Sequence, residues 1–252
     1  MTRTLRSMII SLVLLLGGQL ISVLPASADI TDADKAMIEK MFEEYIRANP
    51  ELVRQVLVDL AQREADAAME VALTILQNDD GDPFMGNPDA GTVIYEFSDY
   101  NCGYCKRVFT PLRQLIEEDG DIKLVIKEFP ILSQSSLLAA QAAIAAQAQD
   151  VFPAYHVAMM TSRGAVTMEG IMSAAGDAGA DLDRLQKDMN SAEVALIIER
   201  TRAAAQQLDI SGTPGLVIGR QVIPGAIDID QMRQIIAEER ARTSQQGPLI
   251  LR

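Results

Sequence analysis

The sequence holds only two cysteines and a single histidine, and each scarcity removes a class of protein. An exported protein built on a disulfide framework carries several scattered cysteine pairs, whereas here Cys102 and Cys105 stand three positions apart. A bridge that short closes a tiny loop and takes little entropy from the unfolded chain, so the pair is a poor staple and reads as reactive. A structural zinc site needs four ligands, and the chain offers two sulfurs plus His156, far along the sequence. Two thiolates suffice for a soft ion such as Cu(I), which leaves copper handling open as an alternative role.

Positive charge is also short, with 22 Lys and Arg against 35 Asp and Glu and a formal net charge of −13. Such an acidic surface repels phosphate backbones, so nucleic acid is not an expected partner. Only one apolar run is long. Arg3 and Arg6 precede Met8 to Leu24, and Pro25-Ala26-Ser27-Ala28 follows, the pattern of a signal peptide cleaved after Ala28. Ser11, Gly17, Gly18, Gln19 and Ser22 interrupt the run, which speaks against a retained anchor. Export without residues 1–28 leaves 224 residues and a charge of −15, enough chain for one ordinary domain and an appendage.

Beyond the leader, apolar spacing predicts a helix over Asp32 to Ala48, a break at Asn49-Pro50 and a second helix from about Glu51 to Gln77. Residues 78–91 are dense in Asp, Gly, Asn and Pro and read as a linker. Thr92 to Phe97 and Lys123 to Phe129 then read as strands flanking a helix over Lys106 to Glu118. Residues 133–208 are helical almost throughout, with Thr167, Asp181 and Ser191 as caps. Leu216 to Ile218 and Gln221 to Ile223 form a hairpin about Gly219-Arg220, and a last helix starts near Asp228. The fold class is α/β: strand, helix, strand, a helical insertion, then two strands and a helix.

The strand ending at Phe97 leads into Cys102-Gly103-Tyr104-Cys105 immediately before a helix. Cys102 then sits at the helix N-terminus, where unpaired N–H groups and the macrodipole favour an anion and hence a nucleophilic, exposed thiolate. Cys105, one turn further in, is placed to resolve the mixed disulfide formed at Cys102. Ser211-Gly212-Thr213-Pro214-Gly215 precedes the hairpin, and on sequence alone Thr213-Pro214 is either an ordinary trans turn or an irregular site.

Three motifs in this order, Glu96-Phe97-Ser98-Asp99-Tyr100-Asn101-Cys102-Gly103-Tyr104-Cys105, Glu128-Phe129-Pro130-Ile131-Leu132 and Gly212-Thr213-Pro214, resemble the DsbA-like branch of the thioredoxin superfamily. The resemblance spans about residues 83 to 240. It implies a thioredoxin-like domain over 92–132 and 209–252, an inserted helical domain over 133–208, and a cis Thr213–Pro214 loop facing the cysteines and, with Gly103 and Tyr104, meeting the substrate. The stretch before the linker, with Tyr45, Asn49-Pro50-Glu51 and Leu52, is similar to the appendage of the ScsC (suppressor of copper sensitivity) subgroup. That likeness implies an oligomerisation segment over 29–77, a homotrimer, and a periplasmic disulfide isomerase more than a monomeric oxidase. The redox-active pair itself is the only expected cofactor. Implied partners are exported proteins with cysteines and a membrane protein that recharges the pair. The best-known DsbA pattern has Pro-His between its cysteines; Gly103-Tyr104 offers the thiolate no imidazole, which makes the disulfide less oxidising.

Four further features have two readings each. Glu96 is either a proton shuttle for the buried cysteine, as similar proteins use an acid here, or an edge residue facing solvent, with Lys127 as its counter-charge. His156 reads as a packed or capping residue rather than a catalytic one. Met159, Met160, Met168 and Met172 read as core first and substrate surface second. The apolar stripe of the first helices either folds back on its own chain or pairs with copies of itself, and the second is favoured.

Overall fold

The computed structural model describes residues 30–246. The expected signal peptide, residues 1–28, lies outside them. Two helices come first, α1 (Asp32–Ala48) and α2 (Pro50–Gln77). Thr31 and Asp34 close a capping box on α1, each side chain accepting from the other's main-chain N–H. Asn49 ends that helix, and Pro50, which has no N–H to lose, opens the next. No residue of α1 is buried; Ile38, Met41, Phe42 and Tyr45 are exposed, as are Val56 and Leu57 on α2.

The chain divides into two compact units between Asp59 and Leu60, upstream of the boundary expected at residues 78–91. In the second unit, Ala72 and Leu76 near the end of α2 are fully buried. Inside the expected linker, Phe84–Gly86 forms strand β1, antiparallel to Val125, Leu124 and Lys123, and Pro83 O accepts from Ile126 N at 2.8 Å. Turn-forming residues flank a strand of only three residues, too short for alternation to reveal.

The rest of the unit runs β2 (Thr92–Ser98), α3 (Gly103–Glu118), β3 (Ile122–Glu128), α4 (Gln134–Gln147), α5 (Phe152–Thr161), α6 (Met168–Asp177), α7 (Leu182–Met189), α8 (Ala192–Gln207), β4 (Gly215–Ile218), β5 (Gln221–Pro224) and α9 (Ile229–Gln246). Thr167, Asp181 and Ser191 cap α6, α7 and α8 through their side-chain oxygens. The sheet order is β1-β3-β2-β4-β5, with β2 and β3 parallel and every other pair antiparallel. Parallel strands need a crossover, and α3 supplies it, which puts the start of α3 at the end of β2.

Strand alternation sorts the sheet into two faces. Ile94, Ile122, Leu124, Ile126, Leu216 and Ile218 pack on α3, on Met232 and Ile236 of α9, and on α4 to α7 in one continuous core. Tyr95, Phe97, Val125, Phe129 and Val217 face the other way, against Leu76 of α2 and Ala204 and Ala205 of α8. On that second side Lys127 Nζ pairs with Asp82 Oδ2 at 2.7 Å, both side chains being at most 1% exposed, and Arg200 Nη2 approaches the same oxygen at 3.4 Å. Burial pushes Asp82 above and Lys127 below their ordinary values, while their mutual attraction opposes both shifts.

Breaking a buried pair strands a charge, so Asp82→Ala is expected to cost about 3–5 kcal/mol of unfolding free energy. Adding Lys127→Met to that variant should restore most of the loss, because the stranded ammonium goes with it. Denaturant midpoints for the two variants test this, and a single variant as stable as the parent would refute it.

Candidate active site

The loop after β2 is built from side chains that replace missing ladder bonds. Asp99, 1% exposed, accepts from Asn101 N at 2.8 Å and from Ile131 N and Leu132 N at 3.0 Å each, which ties the loop to the segment beyond β3. Asn101 Nδ2 lies 3.0 Å from the hydroxyls of Ser133, Ser135 and Ser136, and its Oδ1 accepts from Val166 N at 3.2 Å. Two separate segments, the start of α4 and the stretch before α6, are therefore held against the residue that precedes Cys102.

Cys102 is the N-cap of α3, and its Sγ accepts from Cys105 N at 3.4 Å, one of the helix's unpaired donors. Its own thiol donates to the carbonyl oxygen of Thr213 at 3.2 Å. The Thr213–Pro214 peptide bond is cis. Cys102 is only 6% exposed, less open than the sequence reading expects, because the Thr213 main chain covers it. Both cysteines are free thiols. Cys105 is fully buried, and burial first, then the charge of Glu96, pushes its thiol far above the ordinary range. The sulfurs thus differ in setting: Cys102 lies at the helix mouth under the Thr213 main chain, and Cys105 is sealed one turn behind it.

Gly103 and Tyr104 form the outer rim. A Cβ at Gly103 would meet nothing, and Tyr104 is 60% exposed with the Arg107 guanidinium 3.9 Å above its ring. Among the described residues no third histidine, cysteine or carboxylate joins the two sulfurs in a metal-holding cluster.

Beneath the cysteines the sheet presents acids. Glu96 is fully buried with neither carboxyl oxygen hydrogen-bonded, and burial raises it to about 7. It is not an edge residue. The pairing with Lys127 fails, for a reason of register: Glu96 sits beside Ile126, while Lys127 sits beside Phe97, so the two side chains leave opposite faces of the sheet. Lys127 belongs to Asp82.

The sequence reading missed a second acid. Ser98 pairs with Glu128, so Glu128 shares the face of Glu96, fully buried and held well above the carboxylate range by desolvation. Tyr100 Oη donates to Glu128 Oε1 at 3.1 Å and lies 2.9 Å from His156 Nδ1. A hydroxyl has one hydrogen, so with that hydrogen on Glu128 the tyrosine oxygen accepts from the imidazole N–H. His156 is fully buried among Tyr100, Phe109 and Phe152, and desolvation lowers it to about 3. A neutral, packed histidine agrees with the expectation drawn for it. Glu128 was visible in its motif, but only the parallel register shows which way it points.

Of the methionines, Met159 and Met160 are core, whereas Met168 is 44% exposed, as are Ile131 and Leu132 at 42% and 53%.

The sequence matches the thioredoxin family over residues 78–238. A thioredoxin-like oxidoreductase from Silicibacter pomeroyi DSS-3 superposes with a TM-score of 0.64 at 36% identity, over 66% of this chain and 96% of that one. ScsC of Proteus mirabilis, in a transitional conformation, gives 0.64 at 27% identity over 84% and 99%. The disulfide bond formation protein D of Bacillus subtilis is 23% identical over 63% of this chain and 77% of its own length. Na(+)/H(+) antiporter NhaA 1 of Salinispora arenicola also matches at 23% identity, but the chain spans only 27% of that protein. With the match reaching across all five strands and every loop of the site, the chain belongs to the thioredoxin family, among its DsbA-like thiol–disulfide oxidoreductases.

Proposed function

We propose that this protein is a periplasmic disulfide isomerase that works through Cys102 and Cys105 as an oligomer. The observation that carries the reading is the setting of Cys102, whose Sγ lies 3.4 Å from an N–H at the mouth of a helix and 3.2 Å from the Thr213 carbonyl, with Cys105 buried one turn behind. In this scheme the Cys102 thiolate attacks one sulfur of a substrate disulfide, a mixed disulfide forms, and the other substrate sulfur leaves as a thiolate. The freed substrate thiolate attacks another disulfide of the substrate, and the thiolate displaced there attacks the substrate sulfur of the mixed disulfide, which releases Cys102 as a thiolate and completes an isomerisation without net redox change. When that rescue is slow, Cys105 attacks Cys102, the substrate leaves reduced, and the new Cys102–Cys105 disulfide must be reduced by a membrane partner. Thr213, Pro214, Gly103 and Tyr104 line the approach.

Two features favour isomerase over oxidase. Gly103-Tyr104 gives the thiolate no imidazole, so the disulfide is a weaker oxidant and the dithiol a readier attacker. The exposed apolar residues of α1 and α2, with Phe42 66% and Leu57 59% exposed, suit self-association, and a trimer is what the sequence resemblance of this stretch to the ScsC appendage implies. The leader expected from the sequence supports a periplasmic setting, and no helix among the described residues is long and apolar enough to cross a membrane.

Isomerase activity on a scrambled substrate should fall with the oligomer. Phe42→Glu with Leu57→Glu is expected to lower the native mass to one chain and to cut refolding of scrambled ribonuclease about ten-fold or more, while a dithiol peptide is still oxidised. A native mass of one chain for the parent protein, with oxidation but no isomerisation, would support the DsbA-type oxidase instead.

A further inference from the structure

The chain's charge is not spread evenly. Carboxylates outnumber cations by thirteen overall, yet residues 100–112, 129–149, 151–168 and 210–227 contain no Asp or Glu at all. These are the segments that meet at Cys102. Its thiol touches Thr213, Asn101 beside it binds Ser133, Ser135, Ser136 and Val166, and Lys106 Nζ donates to Ser162 O at 2.9 Å. The acids closest in sequence or beneath the pair, Asp99, Glu96 and Glu128, are buried at 1% exposure or less and do not reach the surface.

Cations show the complementary pattern. Among the described residues, every Lys and Arg has a carboxylate within 4.0 Å except Arg63, Lys106, Arg107, Arg163 and Lys187. Three of those five belong to the acid-free segments. Lys106 and Arg107 open α3, and Arg163 follows Ser162, the residue that Lys106 holds. Arg107 is committed only to the face of Tyr104, an attraction that leaves its outer edge free for an anion. On so acidic a protein, three of the five cations without a carboxylate partner thus fall in the acid-free segments that meet at Cys102.

We propose that Lys106, Arg107 and Arg163 form an anion-recognising rim around Cys102, and that its protein partners present a cysteine flanked by acidic residues. The inference rests on the reading of Cys102 as the attacking sulfur and adds the chemistry of what it attacks. The rim acts locally: at physiological salt the Debye length is about 8 Å, so a peptide docked at Cys102 feels these side chains while the remote carboxylates are screened. It also raises the local concentration of an anionic segment before any covalent step.

The test uses the reduced full-length protein and three peptides, each bearing one cysteine as its 2-thiopyridyl disulfide and differing only in having two Glu, two Gln or two Lys beside that cysteine. Attack by Cys102 forms the peptide mixed disulfide and releases thiopyridone, whose absorbance gives the second-order rate constant. At about 0.15 M salt the Glu peptide is expected to react about three- to ten-fold faster than the Gln peptide and the Lys peptide slower than both, with the spread collapsing near 1 M salt. Arg107→Glu with Arg163→Glu should reverse the order, whereas Arg63→Glu with Lys187→Glu, an equal change of net charge, should leave it in place. Equal rates for the three peptides, a faster Lys peptide, or a preference that survives 1 M salt would overturn the proposal. If no peptide reacts at Cys102, the Gln peptide included, it is the attacking role of Cys102 that falls.

Discussion

Cys102→Ser is expected to bring disulfide exchange down to the uncatalysed rate, and Cys105→Ser is expected to leave the first attack intact while mixed disulfides accumulate. The asymmetry follows from the positions of the two sulfurs, one at the helix N-terminus and one sealed behind it. A serine hydroxyl at position 102 cannot ionise in the working range, so the helix N-terminus and its N–H groups would face no nucleophile. Cys105 cannot substitute for it, being fully buried and held in the thiol form by desolvation and by Glu96. Its chemistry begins only when a disulfide to Cys102 is placed next to it, and without it the partner has no internal exit. Insulin reduction measures the first effect, and thiol-quenched non-reducing gels measure the second. Insulin reduced at the parental rate by Cys102→Ser would refute the mechanism, as would a Cys105→Ser protein that carries no trapped partners under substrate load.

Much of this was readable from residues alone where local chemistry dictates geometry. A strand running into Cys-x-x-Cys and then into helix-forming residues places the first sulfur at a helix mouth whatever the tertiary context, and Thr167, Asp181 and Ser191 announce their helices as caps do. What the sequence hides is set by pairing between distant segments. Glu96 and Lys127 look like counter-ions because both interrupt apolar strands, and one residue of register in a parallel pair separates them by the thickness of the sheet. That same register, invisible from either strand alone, turns Glu128 inward beside Glu96 and hands it Tyr100 and His156. The edge strand β1 escaped because three residues carry no period, and its partner is found only once β3 is in place. Asn101 shows the limit most clearly: nothing in its own neighbourhood signals that it will gather Ser133, Ser135, Ser136 and Val166 around the catalytic loop.

Glu96→Gln is expected to make the protein more stable and its resolving step slower, each with a defined dependence on pH. The carboxyl titrates at its ordinary 4.5 in the unfolded chain and at about 7 in the folded one, because burial penalises the anion more than the nearby Ser98 hydroxyl relieves it. Below pH 4.5 both states hold the proton and the group costs nothing. As pH rises from 4.5 towards 7 the unfolded chain releases the proton while the folded chain keeps it, so stability falls, and above 7 the full cost is present, on the order of 3 kcal/mol. Glutamine removes that term, so the variant should match the parent in acid and exceed it at pH 8. In the proposed mechanism the same anion serves the chemistry. Cys105 must lose a proton before it attacks the mixed disulfide, and the expectation that Glu96, on the same face of the sheet, takes that proton is what the variant tests, with Glu128 held neutral by burial. The rate of resolution in the parent should therefore climb through about pH 7, and in Glu96→Gln it should lose that step and fall about 10²-fold or more. Denaturant melts at two pH values and single-turnover release of a thiol from the Cys102 mixed disulfide read the two effects separately. A variant no more stable than the parent at pH 8 would mean that the buried carboxyl is solvated, and an unchanged pH–rate profile would remove Glu96 from the path of the proton.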